Sequence, residues 1–282
     1  LVPPAAKAAA AELGLAVFQP PHLRDPEAVA SLRSLAPDLI VVAAFGQILR
    51  PAVLDLPRFG CLNVHASLLP RHRGASPIAA AILTGDGETG VSIMRMDPGL
   101  DSGPVLARRA TPIRPADTTG TLSGRLARLG ADLLIEVLPA WLAGEITAEP
   151  QDASRVTLAL QLTKDAGLID WSKPAERLWR EVRAYNPWPI SSTPLRDDTL
   201  QVLEAVPIDQ PAAKGGAAPG TVLPLPEDAA ERLGADRRRA AFAVATGRGL
   251  LVPLVVRRAG RGAVTAAEFA RGARDLIGAH LG

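Results

Sequence analysis

The sequence predicts an open α/β domain built on a mostly parallel sheet, followed by a smaller β-barrel domain. Residues 38–45 form a continuous apolar run, which is typical of a strand buried on both faces of a parallel sheet. Residues 118–143 repeat Leu, Val and Trp at helical spacing, which indicates a long amphipathic helix. Residues 190–282 change to short strand patterns between Pro/Gly-rich loops. A chain of 282 residues is long enough for two such domains.

In the first domain, helix and strand patterns alternate along the chain. Asp25 is placed to cap a helix that has Pro26 at its first position and runs to about Ala36. Three further strands are expected after the apolar run, at residues 60–65, 90–96 and 104–107. Open sheets of this kind bind ligands at the carboxyl ends of their strands, so the residues that follow these strands are candidates for a functional site.

The second domain is expected to follow a linker at residues 145–163, which lack strong periodicity. A helix comes next, with Ser172 as its expected cap and Pro174 in its first turn. Thr265 and Glu268 have the spacing of a capping box, which predicts a short C-terminal helix. The other patterns are strands at 199–206, 220–223, 240–246 and 250–257, with a hairpin turn over 246–249. Together these elements indicate a small barrel.

Composition excludes several classes of protein. No apolar stretch approaches the roughly 20 residues of a membrane span, and no signal-peptide pattern opens the chain. The single cysteine, Cys61, excludes an internal disulfide and fits a reducing cytoplasm; its apolar surroundings predict a core thiol. The four histidines lack metal-ligand spacing, which predicts no metal site, and His72 is expected at the surface. The net charge of +2 is weak evidence for a polyanionic partner.

Two polar side chains end the second predicted strand. Asn63 and His65 stand two residues apart in the run CLNVH (61–65), so in a strand both point to the same face. An amide can donate to a developing oxyanion while an imidazole moves a proton, which suits acyl chemistry. Asp101, in the segment LDSGP (100–104), supplies a carboxylate that can orient and charge that imidazole. By spacing alone the pattern also fits a strand end whose Asn and His are only structural; the motifs around these residues favour the catalytic interpretation.

The motifs around these residues resemble those of the folate-dependent formyltransferases. Asn-x-His-x-Ser-Leu-Leu-Pro at 63–70 is followed by Arg-x-Arg-Gly at 71–74 and by Leu-Asp-x-Gly-Pro at 100–104. Further motifs extend the resemblance over nearly the whole chain: GDGETGV (85–91), IDW (169–171) and NPWP (186–189). Within this family, the sequence is most similar to the members that act on methionyl initiator tRNA.

The resemblance implies a Rossmann-like catalytic domain, the formyltransferase fold, followed by an OB-like barrel domain that contacts tRNA. It places the catalytic domain at residues 1–144, the linker at 145–163 and the C-terminal domain at 164–282. The chain enters the family pattern partway through. The resemblance therefore also implies that the first strand and helix of the catalytic domain are absent from it.

The resemblance further implies the reaction and its ligands. The formyl donor would be 10-formyltetrahydrofolate, which is released as tetrahydrofolate, and the acceptor would be the α-amino group of methionyl initiator tRNA. Asn63 would donate to the oxyanion, and Asp101 would pair with His65 while the proton moves to the leaving folate. The implied folate-binding residues are Ser67, Leu68, Leu69, Pro70, Gln47, Ile48 and Leu49. The implied tRNA-binding residues are Arg71 and Arg73, with Arg177, Arg180 and Arg183 on the helix of the second domain, where their spacing alone also fits a solvated face. A cytoplasmic monomer that needs no metal is expected.

Three alternatives stay open on the sequence. An amino-sugar nucleotide formyltransferase is the stronger rival, because those enzymes share the Pro-Trp-Pro element and a C-terminal domain. The purine-pathway glycinamide ribonucleotide enzyme usually stops after the catalytic domain and typically has a histidine where Met94 lies, so it fits less well. The third alternative is a non-catalytic RNA- or folate-binding protein, which a formyl-transfer assay separates from the enzymes.

Overall fold

A computed structural model of the protein describes residues 3–209, 216–273 and 275–282. The helices assigned within these residues are α1 (Ala5–Glu12), α2 (Pro26–Ser34), α3 (Pro51–Leu54), α4 (Pro77–Thr84), α5 (Thr119–Leu142), α6 (Ala175–Ala184), α7 (Ala229–Leu233) and α8 (Ala266–Gly272). The strands assigned there are β1 (Ile40–Val42), β2 (Cys61–His65), β3 (Arg73–Gly74), β4 (Glu88–Arg95), β5 (Val105–Pro112), β6 (Leu158–Ala159), β7 (Ser191–Leu195), β8 (Asp198–Ile208), β9 (Val222–Pro224), β10 (Phe242–Ala245), β11 (Leu250–Arg258) and β12 (Val264–Thr265). None of these helices is both long and apolar enough to span a lipid bilayer.

The first sheet has four strands in the order β1-β2-β4-β5. β1 pairs with β2 in parallel, whereas β2 with β4 and β4 with β5 are antiparallel. The predicted α/β class with an open Rossmann-like sheet is confirmed, but the sheet is mixed rather than mostly parallel. The chain passes from β4 to β5 through residues 96–104 only. A parallel crossover needs about a dozen residues or more, so this short connection requires antiparallel pairing.

Strand β1 is shorter and more exposed than its sequence pattern predicts. The apolar run at 38–45 predicts burial on both faces, but β1 covers only Ile40–Val42, and its side chains are half-buried or exposed. Among the described strands, β1 pairs with β2 alone. An apolar run correctly predicts burial on both faces only where neighbouring elements pack against the strand. An edge strand has fewer such neighbours, so β1 stays partly exposed.

Helix α5 packs across the first sheet, as its leucine spacing predicts. It spans Thr119–Leu142, close to the expected range of 118–143, and Thr118 and Thr121 form a capping box at its start. Its buried face packs in one hydrophobic cluster with the sheet; the main members are Leu122, Leu126, Leu133 and Val137 from the helix and Leu62, Val91 and Ile93 from the strands. This packing holds β2 and β4 in place and so provides a rigid base for the residues at their ends.

The stretch expected to be a linker, residues 145–163, has structure of its own. Within it, β6 pairs in parallel with β3, and Glu149 bridges to Val105 at the start of β5. A 3-10 helix covers Ala153–Arg155. Weak periodicity did not reveal these contacts, because a two-residue strand leaves no repeating pattern. The segment therefore lies against residues of the first domain, at β3 and at the start of β5.

The second sheet has six antiparallel strands and curls into a half-barrel, which confirms the predicted small β-domain. Its path is β7-β8-β11-β10-β9, with β12 paired to β11. Helix α6 packs Leu178 and Val182 against Phe242 and Leu251 in the core of this domain. Strand β7 was not expected, because Pro194 lies inside it and proline weakens a strand pattern.

The two expected helix starts in the second domain have different outcomes. Thr265 and Glu268 form the predicted capping box at the start of α8. Helix α6 instead begins at Ala175, and the expected cap Ser172 lies outside it. The Ser172 hydroxyl donates to Oδ1 of Asp170 at 2.6 Å, so a local turn takes the hydrogen bond that a helix cap would make.

Candidate active site

Strand β2 carries Asn63 and His65 on one face, as the alternation of a strand requires. Pairing with both β1 and β4 fixes the backbone at Asn63, and pairing with β4 fixes it at His65. Both side chains are buried, and His65 is only 5% exposed. Buried polar groups nearly always have hydrogen-bond partners, so the partners of these two decide what they can do.

The carboxylate of Asp101 lies against both side chains. It comes from the loop between β4 and β5, and its Oδ1 is 3.3 Å from Nδ2 of Asn63 and 3.7 Å from Nδ1 of His65. Its Oδ2 accepts a hydrogen bond of 2.8 Å from the backbone N–H of Gly74. The structure thus brings the three predicted catalytic residues together, and we call them the site cluster.

Asn63 has hydrogen-bonding capacity left over. A side-chain amide carries two N–H donors, and the Asn63 amide uses one of them on Asp101. The second N–H can donate to a further group in the site. That is the requirement for holding an oxyanion, because the donor must already point into the site before the charge develops.

His65 is held by the nitrogen that faces away from Asp101. Its Nε2 lies 3.0 Å from the backbone carbonyl of His72. A carbonyl only accepts hydrogen bonds, so Nε2 carries a proton; in the neutral ring, Nδ1 then has the lone pair and faces Asp101. The 3.7 Å between Nδ1 and Oδ1 is too long for a hydrogen bond. Nδ1 is therefore available to take up a proton, which would produce an imidazolium beside a carboxylate.

The turn that follows β2 is fixed by its own hydrogen bonds. The Ser67 hydroxyl donates to the carbonyl of Arg71 at 2.6 Å. The Leu69 N–H donates to the Ser92 hydroxyl at 3.0 Å, and this hydroxyl donates to the Ser67 carbonyl at 2.7 Å. Sheet residue Ser92 thus ties the turn to β4, which keeps the end of β2 in place.

One side of this turn borders a cavity of about 640 Å³. Leu68, Leu69 and Pro70 line it together with Arg71 and Arg108. Leu69 and Pro70 are largely buried, and Leu68 is half-buried. The members of the site cluster do not line this cavity.

The other segment expected to bind folate follows β1. The side chain of Gln47 is bonded to the backbone of Leu23 at 3.1 Å and of Pro21 at 3.4 Å. Leu49 is buried in the core, whereas Ile48 is 83% exposed. Only Ile48 in this segment therefore offers an accessible apolar side chain to a ligand.

The two arginines that follow the turn differ in accessibility. Arg71 pairs with Asp86 at 2.6 Å, and its side chain is 45% exposed. Arg73 donates through Nε and Nη2 to Oε1 of Gln151 at 3.0 and 2.8 Å. Arg71 is therefore able to reach a ligand at the surface, while the Arg73 guanidinium is bound inside the protein.

Two of the α6 arginines expected to bind tRNA lie against the end of α4. Arg177 donates to the carbonyl of Leu83 at 2.8 Å, and Arg180 donates to the carbonyl of Thr84 at 3.3 Å. The last turn of a helix leaves carbonyls without intrahelical partners and carries partial negative charge. These arginines therefore join the second domain to the first, and the structure does not bring them to the site cluster.

Arg183, the third α6 arginine, is buried. Its guanidinium donates to the carbonyls of Asp117 and Arg114, both at 2.9 Å, and stacks 4.3 Å from the ring centroid of Trp179. These contacts join the second domain to the first, and the tRNA-binding role expected for Arg183 stays a prediction. We call Arg177, Arg180 and Arg183 the interdomain cluster.

Sequence reasoning missed two residues close to the site cluster. His72 was expected at the surface but is 4% exposed, and its Nε2 lies 2.7 Å from Oδ2 of Asp86. Gln151 was assigned to a linker without structure, yet it bonds to the loop that carries Asp101. No spacing signal could have found these contacts, because the partners lie far apart in the sequence.

Cys61 is confirmed as a core thiol. Burial, with a smaller contribution from the charge of Asp55, raises the pKa of the Cys61 thiol to about 11. The thiol therefore stays protonated near neutral pH, which excludes it as a nucleophile. In the described parts of the chain, no group of three His, Cys, Asp or Glu side chains is arranged to hold a metal ion.

Sequence comparison finds similar proteins that match almost the whole chain. The methionyl-tRNA formyltransferase of Roseiflexus sp. (strain RS-1) is 46% identical over 276 residues, which cover 98% of this chain and 80% of the relative. That of Halorhodospira halophila (strain DSM 244 / SL1) is 49% identical over 278 residues, which cover 99% of this chain and 84% of the relative.

Solved structures share the fold at lower identity. HypX from Aquifex aeolicus in complex with tetrahydrofolic acid has a TM-score of 0.61 and 19% identity, over 87% of this chain and 40% of that one. A likely sugar N-formyltransferase from Mycobacterium tuberculosis has a TM-score of 0.52 and 27% identity, over 64% of this chain and 81% of that one.

The N-terminal and the C-terminal part of the chain both match models of one family, and the two matches correspond to the two domains of the fold. Residues 2–138 match the formyl transferase family, and residues 161–274 match the formyl transferase C-terminal domain. The first match contains β2, its turn and the loop that carries Asp101, and the second contains the half-barrel. The chain therefore belongs to the formyl transferase family.

Proposed function

We propose that the protein transfers the formyl group of 10-formyltetrahydrofolate to the α-amino group of methionyl initiator tRNA, in support of translation initiation. The observation that carries this proposal is the contact of the Asp101 carboxylate with both Asn63 and His65. Such a cluster supplies an oxyanion donor and a proton carrier side by side, as acyl transfer requires. Support for the acceptor comes from relatives named methionyl-tRNA formyltransferase at 46% and 49% identity.

Each member of the site cluster has one task in this reaction. The amine nitrogen adds to the formyl carbon, and the formyl oxygen becomes an oxyanion that accepts a hydrogen bond from the second N–H of Asn63. His65 takes the amine proton at Nδ1, and Asp101 stabilises the imidazolium. The bond between the formyl carbon and N10 of the folate then breaks. The proton passes to N10, which gives tetrahydrofolate and the formylated amine.

The folate would contact the turn at Ser67–Pro70 and the segment at Gln47–Leu49. Leu68 and Ile48 are the members of these segments with accessible apolar side chains, so they would pack against the folate rings. Ser67 and Leu69 are buried, so their contribution would be to shape the turn and to present its backbone. Preformed backbone of this kind positions a ligand without the cost of ordering a loop.

The tRNA would approach the site cluster past Arg71. This arginine is exposed, stands at the end of the turn and carries a charge that attracts phosphate. Arg73 is only one residue from Gly74, whose N–H holds Asp101, so we assign it to support of the site and not to phosphate. We expect the protein to act as a monomer, in the cytoplasm where its proposed tRNA substrate is found.

The direct test is a transfer assay with two competing acceptors. The protein is incubated with 10-formyltetrahydrofolate labelled in the formyl group, methionyl initiator tRNA and an amino-sugar nucleotide. We expect the label on the methionyl group of the tRNA, and its loss with the His65→Ala variant.

Each other outcome of the assay selects a different function. Label on the amino sugar would replace the proposed acceptor, in line with the structural similarity to a likely sugar N-formyltransferase. Label on neither acceptor, with folate binding intact, would contradict an enzymatic role and favour a non-catalytic binding protein.

A further inference from the structure

Gln151 is the most completely hydrogen-bonded side chain near the site cluster. Its Nε2 donates to the backbone carbonyls of Asp101 at 2.8 Å and Gly103 at 2.7 Å. Its Oε1 accepts from Nε and Nη2 of Arg73 at 3.0 and 2.8 Å. Both N–H donors and both lone pairs of the amide are used, and all four bonds join segments that are distant in sequence.

The loop that Gln151 holds needs an external support. Asp101 has a φ of +48°, a left-handed conformation that non-glycine residues adopt uncommonly and at a cost. Such a conformation persists only when its surroundings over-determine it. The two carbonyls bonded to Gln151 belong to Asp101 itself and to Gly103, so the bonds fix the backbone directly after the Asp101 Cα, from which the side chain leaves the chain.

Arg73 sets the orientation of the Gln151 amide. A guanidinium only donates hydrogen bonds, so the Gln151 oxygen must face Arg73 and the nitrogen must face the Asp101 loop. The next residue, Gly74, donates its N–H to Oδ2 of Asp101 at 2.8 Å. The contacts therefore close a ring: Arg73 to Gln151, Gln151 to the Asp101 backbone, and the Asp101 carboxylate back to Gly74.

We propose that Gln151 is a positioning residue for catalysis, which holds the Asp101 carboxylate against Asn63 and His65. This inference rests on the proposed formyl transfer, and it gives the segment between the two domains a role in the reaction. Loss of the two Nε2 bonds would leave Asp101 held through its carboxylate, by Gly74 and Asn63, without the support of its backbone carbonyl. A displacement of about 1 Å in a catalytic group costs up to about 100-fold in rate.

The test uses Gln151→Glu with Gln161→Ala as the matched control. Glutamate keeps the volume of glutamine and its contact with Arg73, but it cannot donate to the two loop carbonyls when ionised. Gln161 lies in the same segment and is exposed. We expect Gln151→Glu to lower kcat by about 10- to 100-fold with an unchanged KM for tRNA, and Gln161→Ala to match the wild type.

A second readout does not depend on activity. The amide proton shift of Gly74 reports the Asp101 carboxylate, to which it is bonded. We expect this shift to move in Gln151→Glu and in Gln151→Ala, and to stay unchanged in Gln161→Ala. The Gln151→Ala arm also decides the question if the glutamate variant is too unstable to assay.

The outcomes separate this inference from the proposed function. Wild-type protein without formyl transfer would overturn the proposed function alone. The positioning role alone would be overturned by a different result. In that case the wild type is active, and both Gln151 variants have the same kcat and the same Gly74 amide shift as Gln161→Ala.

Discussion

The site cluster and the interdomain cluster both consist of polar side chains that are partly or fully buried. They differ in how much of their hydrogen-bonding capacity is used by other groups of the protein. In the interdomain cluster, the Arg183 guanidinium is shared between two carbonyls and an aromatic ring. Arg177 bonds to the end of α4 and to the buried carboxylate of Glu181. In the site cluster, one N–H of Asn63 and Nδ1 of His65 keep capacity for a further partner.

This difference separates groups that hold a fold from groups that act on a ligand. A buried donor that is already paired contributes stability, and its removal leaves its partners unsatisfied. A preorganised donor with capacity to spare contributes to a reaction, because it can meet the charge that develops in the transition state. Variants of the interdomain cluster should therefore change stability, and variants of the site cluster should change turnover.

The largest effect is expected for His65→Ala. Loss of a group that carries a proton in the transition state should lower kcat by about 10²–10⁴-fold. The thermal midpoint should fall by only about a few degrees, because a single hydrogen bond is lost, the one to the His72 carbonyl. His22→Ala is the matched control, since His22 is exposed and lies outside the site cluster. A His65→Ala enzyme as fast as His22→Ala would remove His65 from the mechanism.

An intermediate effect is expected for Asp117, whose backbone carbonyl accepts from Arg183 and whose carboxylate pairs with Arg125. Burial alone raises the pKa of the Asp117 carboxyl, but hydrogen bonds from Arg125 and from the Arg114 N–H outweigh it and leave the pKa below its ordinary value. In the unfolded chain the group has its ordinary pKa of about 3.9. The stabilisation is therefore fully present above about pH 4 and is lost as the pH falls through the lower, folded value.

Asp117→Asn tests this directly. The variant should lose about 1–3 kcal/mol of unfolding free energy at pH 7, and the difference from the wild type should shrink toward pH 3. Urea unfolding at both pH values measures it, with Asp132→Asn as the control, because Asp132 is exposed on the same helix, α5. A difference that is the same at both pH values would show that Asp117 acts through packing and not through its charge.

The smallest effect is expected for Arg71, and it concerns tRNA binding. It compares an exposed arginine with an arginine of the interdomain cluster. Arg71→Ala should raise the KM for tRNA and reduce the slope of log KM against log salt by about 1, with kcat unchanged at saturating tRNA. Arg180→Ala should leave the slope unchanged, because this guanidinium is bound to the end of α4. Equal slopes in the two variants would mean that accessibility in the free protein does not identify the phosphate contact.

Much of the fold could be predicted because burial leaves a periodic record in the sequence. Helix α5 repeats its leucines at helical spacing and ends where that repeat ends. The capping box at Thr265 and Glu268 is encoded within four residues and appears as expected. Strand pairing is different, because it depends on which segments meet. The antiparallel β4 and β5 and the two-residue β6 therefore departed from expectation.

The candidate site shows the same division. Asn63 and His65 could be placed together from alternation along one strand, whereas their contact with Asp101 rested on a resemblance until the structure was in hand. The α6 arginines repeat with the spacing of a solvated face, yet Arg183 is buried. Charge spacing on a helix does not report what packs against that helix. Gln151 left no signal, because its partners lie in other segments.

We expect the site cluster to serve the reaction and the interdomain cluster to serve the fold. The most direct test measures kcat and Tm for Asn63→Ala and Arg183→Ala in parallel. We expect Asn63→Ala to lose about 10²–10³-fold in kcat with nearly unchanged Tm. Arg183→Ala should lose about 5 °C in Tm with nearly unchanged kcat while folded. Parallel losses of both quantities in both variants would contradict the claim.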